Sequence, residues 1–392
     1  VKLLEPNHSQ LTPQRLISDP FEQVAQVKKM INPENFLRRH IRAMEPYTPI
    51  LPFDVLSEQL GIPADQIIKL DANENPYGPI PAVADALSQL SYVHIYPDPE
   101  SRLLRQKIAT YAGVPFENIV AGAGADEMID LVMRLFLDPD DRILNCPPTF
   151  GMYHFDAEVN AARVVSVPRK GNFELDFKEV IAAILKYQPK ILFLASPNNP
   201  DGGLLSPSML SELLDMPIIL IVDEAYIDFS SVESSVIGQV ITRNNLVVLR
   251  TFSKWPGLAG LRVGFGVFPE WIMPHIWKIK QPYNVSVAGS VAAITSLKNI
   301  DQLEARTELI ISERERLYKM LKDIPWLEPY PSQANFILCK VIGRKAAQIK
   351  LDLSRQGILI RYFDKPGVTD HLRISVGKPN QTDRLIEALH AF

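Results

Sequence analysis

From about residue 76 to residue 288 the chain alternates short apolar runs with amphipathic stretches. The runs fall at residues 142–146, 163–167, 190–195, 218–223, 246–250 and 261–267. The run IILIVD at 218–223 has no polar residue until its end. An unbroken β-branched run of that length reads as a strand covered on both faces, as in a parallel sheet. Residues 176–187 and 207–214 read as helices between strands. Residues 121–136 open with the small residues AGAGAD and continue as a helix, with Met128, Ile129, Leu131, Val132, Leu135 and Phe136 at helical spacing. This alternation predicts an α/β fold with a mainly parallel sheet flanked by helices.

The pattern changes after about residue 289. A long helix at 301–324 leads to a strand at 336–341, a helix near 345–355, strands at 358–362 and 372–376, and a last helix. That order predicts a smaller α+β domain. Residues 1–36 mix polar residues with Pro6, Pro13, Pro20 and Pro33 and read as an N-terminal arm with one short helix near 21–30. The expected organisation is an arm at 1–36, a segment at 37–75, a large domain at 76–288 and a small domain at 289–392.

Composition narrows the function classes. A chain of 392 residues is long enough for two domains and a large core. Its 41 basic and 45 acidic residues nearly balance, so neither a nucleic-acid partner nor an acidic tail is expected. Cys146 and Cys339 lie far apart and show no metal-ligand spacing, which points to a reducing compartment and to no metal. No apolar run has the length of a membrane span, so no membrane partner is expected. The N-terminus lacks a signal peptide's apolar core. It begins at Val1, as a chain does when an initiator Met or a leader has been removed.

Candidate chemistry centres on five residues in a fixed order: Asn199 in SPNNPDGG, Asp223 and Tyr226 in VDEAYIDF, then Lys254 and Arg262 in LRTFSKWPGLAGLRVGF. Lys offers a primary amine on a flexible stem, the group that forms a Schiff base with an aldehyde. Asp223 closes a predicted parallel strand, and ligands of open α/β sheets bind beyond the carboxyl ends of the strands. Arg262 carries a fork suited to phosphate, with the Thr251 and Ser253 hydroxyls nearby. Gly122 and Gly124 allow close backbone approach. Ala125 and Asp126 present amides at a helix N-terminus, a natural anion site. A dinucleotide fingerprint does not fit, because Glu127 stands where its third Gly belongs.

At these residues the chain resembles the fold-type I aminotransferases, which use pyridoxal 5'-phosphate. The resemblance implies that Lys254 holds the cofactor's aldehyde carbon. Asp223 would keep its ring nitrogen protonated, and Tyr226 and Asn199 would hydrogen-bond its phenolic oxygen. Gly124, Ala125, Asp126, Thr251, Ser253 and Arg262 would hold its phosphate. Phe150, in CPPTFGMY, aligns with the ring that stacks on the pyridine. Tyr96, in YVHIYPDPESRLLR, matches a tyrosine that reaches the phosphate of a facing subunit, which implies a homodimer with shared sites. Lys254, Asp223 and Tyr226 are the catalytic set.

The segments PYTPILPFDVLSEQLG, LDANENPYGP, DEAYIDF, LRTFSK and LRISVGKP narrow the likeness to the histidinol-phosphate aminotransferase family, particularly its plant and photosynthetic bacterial members. The likeness runs from about Leu37 to the C-terminus. It implies transamination between L-histidinol phosphate and 2-oxoglutarate, giving imidazole-acetol phosphate and L-glutamate, a step of histidine biosynthesis. It places Tyr47, Asn335, Arg361 and Arg373 on the substrate. The cytoplasm is the expected location, with the plastid stroma as alternative. One departure is Trp255-Pro256 directly after Lys254, where small or basic residues are usual. Alternatives left open are an aromatic amino-acid aminotransferase, a threonine-phosphate decarboxylase and, from another class, a non-catalytic sensor module.

Overall fold

The computed structural model describes residues 32–47 and 51–392. The helix expected near 21–30 lies outside the described residues. The chain divides into two compact units, Val1–Pro46 and Tyr47–Phe392. The described part of the first holds a short 3-10 turn, Pro33–Phe36, and a one-turn helix, Arg39–Ala43. The Asn32 side chain caps the turn by accepting from the Glu34 amide at 3.0 Å.

In the second unit a short strand, β1 (Ile68–Leu70), precedes seven strands of one sheet. These are β2 (Ile119–Gly122), β3 (Arg142–Asn145), β4 (Arg163–Ser166), β5 (Ile191–Ala195), β6 (Ile219–Asp223), β7 (Leu246–Thr251) and β8 (Gly264–Val267). Their spatial order is β2-β8-β7-β6-β5-β3-β4. All neighbours run parallel except β8, which is antiparallel to both β2 and β7. Side chains alternate between two cores. Leu192, Leu194, Leu220, Val222 and Val248 face one, while Phe193, Ile221, Val247 and Leu249 face the other. Burial on both faces is why these strands read as unbroken apolar runs.

A second sheet combines β1 with β9 (Leu327–Pro329), β10 (Phe336–Val341), β11 (Ile358–Tyr362) and β12 (His371–Ser375), in the order β1-β11-β12-β10-β9. The helices Ile300–Lys322, Ala346–Arg355 and Pro379–His390 contribute to its core.

One expected strand is shorter than its apolar run. The run 261–267 is a strand only from Gly264, because Ala259–Leu261 form a 3-10 turn and Arg262 adopts a left-handed φ of 51°. The small residues that open the stretch 121–136 begin inside β2: Ala121 is fully buried, and small size lets the strand lie against β8. The expected boundary near residue 288 falls inside the helix Val287–Leu297, which packs on Pro81–Ser88 and Arg102–Ala112 beside the large sheet.

Candidate active site

The topology explains why residues far apart in sequence meet. β5, β6 and β7 are parallel, so their carboxyl ends share one edge of the sheet. β8 runs opposite to β7 and to β2, so the end of β2 and the start of β8 lie on that edge too. Asn199 follows β5, Asp223 ends β6 and Tyr226 follows it. Thr251 ends β7, with Ser253 and Lys254 just beyond. Arg262 precedes β8, Gly124 to Asp126 follow β2, and Phe150 follows β3. This is the crevice where open α/β sheets bind ligands.

Asp223 is buried. Its Oδ2 accepts from the Tyr153 hydroxyl at 2.7 Å, and its Oδ1 accepts from the Ala225 amide at 3.0 Å. Burial pushes its carboxyl up to about 6, although both hydrogen bonds pull the other way. Tyr153 is buried between Phe193, stacked at 4.9 Å, and Phe150, edge-on at 5.6 Å. Phe150 is thus one ring away from Asp223. Sequence reading missed Tyr153; its signal is an aromatic three residues after Phe150, at the start of the helix Met152–Val159.

Lys254 donates from Nζ to the Ala72 carbonyl at 3.1 Å and lies 5.8 Å from the centre of the Tyr226 ring. Desolvation first, then the charge of Arg373, lower its amine to about 8. The unusual Trp255 is buried and stacks on Tyr111 at 5.0 Å. Its carbonyl accepts from Asn75 Nδ2 at 2.8 Å. Tyr111 in turn accepts from Arg250 at 2.9 Å, and Arg250 pairs with the buried Glu224 at 2.8 Å. Gly257 has φ +72°, and a Cβ there would lie 2.7 Å from the Gly78 carbonyl. The loop carrying Lys254 is therefore anchored directly behind the amine.

An anion cradle forms at the start of the helix Ala125–Phe136. Its N-cap Gly124 has φ +90°, and a Cβ on it would meet Arg262 Nη2 at 2.7 Å. A Cβ on Gly264 would lie 2.5 Å from the Ala125 amide nitrogen. Thr251 pairs with Gly264 in register, and its hydroxyl donates to Ser253 Oγ at 2.9 Å. Arg262 Nη2 bonds Asp126 at 2.7 Å. Glu127, in place of a third Gly, accepts from the Ala123 amide and from Asn284 Nδ2, and so fixes the loop before the helix.

A second basic site lies on the smaller sheet. Arg361 of β11 and Arg373 of β12 are directly opposite in the antiparallel pairing. Arg373 is buried. It donates from Nη1 to Asn199 Oδ1 at 2.6 Å and from Nη2 to the Asp71 carbonyl at 2.8 Å. Its Nε has no partner among the described residues. Burial foremost, opposed by Tyr226 and then assisted by Arg361, brings it down to about 10. Asn335 is fully buried, with Nδ2 donating to the Asn73 carbonyl at 3.0 Å and Oδ1 without a partner among the described residues. Tyr47 is half exposed, lies edge-on to Phe155 at 6.2 Å and bears electrostatically on Arg373. Tyr96 is not brought to these residues. Its ring is 80% exposed and rests on Tyr283 at 4.8 Å. Sequence reading also missed the segment Asp71, Ala72 and Asn73, whose carbonyls receive Arg373, Lys254 and Asn335 in succession. Its signal was the motif LDANENPYGP, read only for its likeness.

These residues fit pyridoxal phosphate. The cradle of glycines, helix amides and Arg262 suits a phosphate. A buried carboxylate with no basic hydrogen-bond partner among the described residues suits a protonated ring nitrogen. The lowered amine of Lys254 suits an aldehyde carbon.

The sequence profile of the aminotransferase class I and II family matches residues 65–389, and the chain belongs to that family. More particularly, it is 50% identical over 376 residues to the chloroplastic histidinol-phosphate aminotransferase of Nicotiana tabacum, a match covering 96% of this chain and 91% of that protein. It is equally 50% identical to the histidinol-phosphate aminotransferase of Roseiflexus castenholzii, over 90% of this chain and 97% of that protein. The crystal structure of histidinol-phosphate aminotransferase from Sinorhizobium meliloti in complex with pyridoxal-5'-phosphate superposes with a TM-score of 0.83. Its identity is 26%, covering 91% of this chain and 98% of that one. The fold is that of the fold-type I pyridoxal-phosphate aminotransferases.

Proposed function

We propose that the chain is a pyridoxal-phosphate enzyme exchanging an amino group between L-histidinol phosphate and 2-oxoglutarate, to give imidazole-acetol phosphate and L-glutamate. The observation carrying the substrate choice is the pair Arg361 and Arg373, opposite each other beside Lys254's carbonyl partner segment. One substrate bears a phosphate and the other two carboxylates, and paired guanidinium forks serve both.

The bound cofactor supplies the aldehyde that carries the amino group and the ring that accepts the electrons of the deprotonated carbon. The protein supplies position and protons. Lys254 would hold the aldehyde carbon, and its neutral amine would take the proton from the substrate's amine-bearing carbon. An amine lowered to about 8 is partly neutral near pH 7 and available as that base. Asp223 would favour the protonated form of the ring nitrogen, and Phe150 would cover the ring. Tyr226 and Asn199 donate to the phenolic oxygen. Arg373 takes up Asn199 Oδ1, which leaves the amide's N–H groups to point elsewhere. Arg262, Thr251, Ser253 and the amides from Gly124 to Asp126 hold the phosphate. Arg373, Arg361, Asn335 and Tyr47 bind the substrate's anionic end.

The active form we infer is a two-fold homodimer with Tyr96 reaching the facing subunit's phosphate. Tyr92, Val93, Ile95 and Tyr96 are all exposed, an apolar stretch suited to a second copy of the chain. The compartment we infer is a reducing one, supported by two buried free cysteines. It is the cytoplasm or, as for the plant relatives named chloroplastic, the plastid stroma. Among the described residues no helix is long and apolar enough to cross a membrane.

The test is a steady-state comparison of histidinol phosphate, phenylalanine and threonine phosphate on the purified protein. Preference for histidinol phosphate with glutamate formation supports the reading. Preference for phenylalanine would make the protein an aromatic aminotransferase, and release of carbon dioxide from threonine phosphate would make it a decarboxylase.

A further inference from the structure

Asn73 stands at the junction of the two sheets. It follows β1 in a left-handed conformation, φ 55°, and is 1% exposed. Its backbone amide donates to Ser375 Oγ at 2.9 Å. The Ser375 oxygen accepts there, and its own proton goes to Asn73 Oδ1, also at 2.9 Å. That bond fixes which way round the carboxamide lies. Its Nδ2 must then face Tyr226, and it donates to the Tyr226 hydroxyl at 3.1 Å. Turning the amide over would let Ser375 Oγ accept from Nδ2 but leave the Ser375 proton without an acceptor among the described residues. The Tyr226 oxygen thus receives a hydrogen bond from behind. Its own proton is committed to no acceptor among the described residues.

We propose that Asn73 is a positioning residue that, held by Ser375, directs the Tyr226 hydroxyl proton away from the protein and toward the cofactor's phenolic oxygen. This rests on the reading of Tyr226 given above. A hydrogen bond donated to that oxygen draws electron density from it and lowers the proton affinity of the nitrogen the cofactor shares with Lys254. Without Asn73, Tyr226 is free to turn its proton elsewhere, and that proton affinity rises. The charged groups bearing on Tyr226 and Lys254 are Arg373 on β12, Asp223 on β6, Asp126 on the cradle helix, Arg262 before β8 and Glu74 after β1. None of them is altered by changing Asn73.

The test is a pH titration of the visible absorbance of the cofactor-loaded protein, for wild type, Asn73→Gly, Tyr226→Phe and the double variant. Gly tolerates the left-handed backbone. The midpoint in Asn73→Gly should rise by about one pH unit, the scale of one hydrogen bond to a charged group. Tyr226→Phe should raise it in the same direction, and adding Asn73→Gly to Tyr226→Phe should move it no further. An unchanged midpoint in Asn73→Gly overturns the proposal while Tyr226→Phe still shifts it, and so does an equal shift with Tyr226 already gone. An unchanged midpoint in Tyr226→Phe alone instead overturns the role given to Tyr226. Should Asn73→Gly fail to fold, Ser375→Ala releases Oδ1 and is read by the same midpoint and the same double variant.

Discussion

Replacing Asp223 by Asn should stabilise the cofactor-free protein and weaken its hold on the cofactor. The carboxyl is buried at the end of β6 and titrates at about 6, against an ordinary 3.8. A carboxyl raised on folding binds its proton more tightly in the folded chain than in the unfolded one. Stability therefore falls as pH rises from 3.8, and the loss is complete once pH passes about 6. The penalty works out at about 1.5 kcal/mol near pH 5 and about 3 kcal/mol near pH 8. Asn keeps the shape and carries no charge. Its Oδ1 still accepts from the Ala225 amide, and its Nδ2 donates to the Tyr153 oxygen in place of the bond Asp223 now receives. Denaturant unfolding of both cofactor-free proteins near pH 5 and pH 8 measures the gain. The variant's advantage should widen by about 1.5 kcal/mol between those two values. In the loaded protein the order should reverse, because a carboxylate opposite a protonated ring nitrogen gains what the empty site loses. A stability difference that stays flat with pH, or a variant that binds cofactor as tightly as wild type near pH 8, would refute this reasoning.

Lys254→Ala should leave a folded protein that holds cofactor in the anion cradle without a covalent bond; borohydride should then fix no cofactor to the chain, and a reducible adduct on another lysine would sink the assignment. In the cofactor-free protein, the rate at which Lys254 reacts with an amine-directed aldehyde should rise with pH about a midpoint near 8. Arg373→Gln should move that midpoint upward by removing a neighbouring positive charge, and a midpoint that stays put would exclude Arg373 as a contributor beside burial. If Tyr96 reaches a facing subunit, Tyr96→Phe should weaken cofactor binding by about tenfold or more, the loss of one hydrogen bond to a charged group. Dilution should loosen binding in parallel. A monomer that keeps full affinity would exclude shared sites.

The α/β class was legible because a two-face-buried strand is written locally, as in IILIV before Asp223. The same holds for the cradle helix, whose apolar stripe and small N-terminal residues are neighbours in sequence. Lys254, Asp223, Tyr226, Asn199 and Arg262 stood out through fixed spacing around local turns, and the sheet brings them to one edge. What was not local stayed hidden. The antiparallel β8 places Arg262 and Gly264 against the helix that follows β2, and nothing in the run 261–267 states that direction or the turn at its start. Tyr153 reads as an ordinary core aromatic until the sheet sets Asp223 against its hydroxyl. Asn73 meets Ser375 across 302 residues and Tyr226 across 153. A sequence specifies residue types and local periodicity. Which donor finds which acceptor across such distances is decided by the packing of the two sheets, because a hydrogen bond depends on separations of a few tenths of an ångström and on direction. The candidate residues, and the order in which they stand, were therefore readable from the chain alone, and the partners that orient them were set by the tertiary structure.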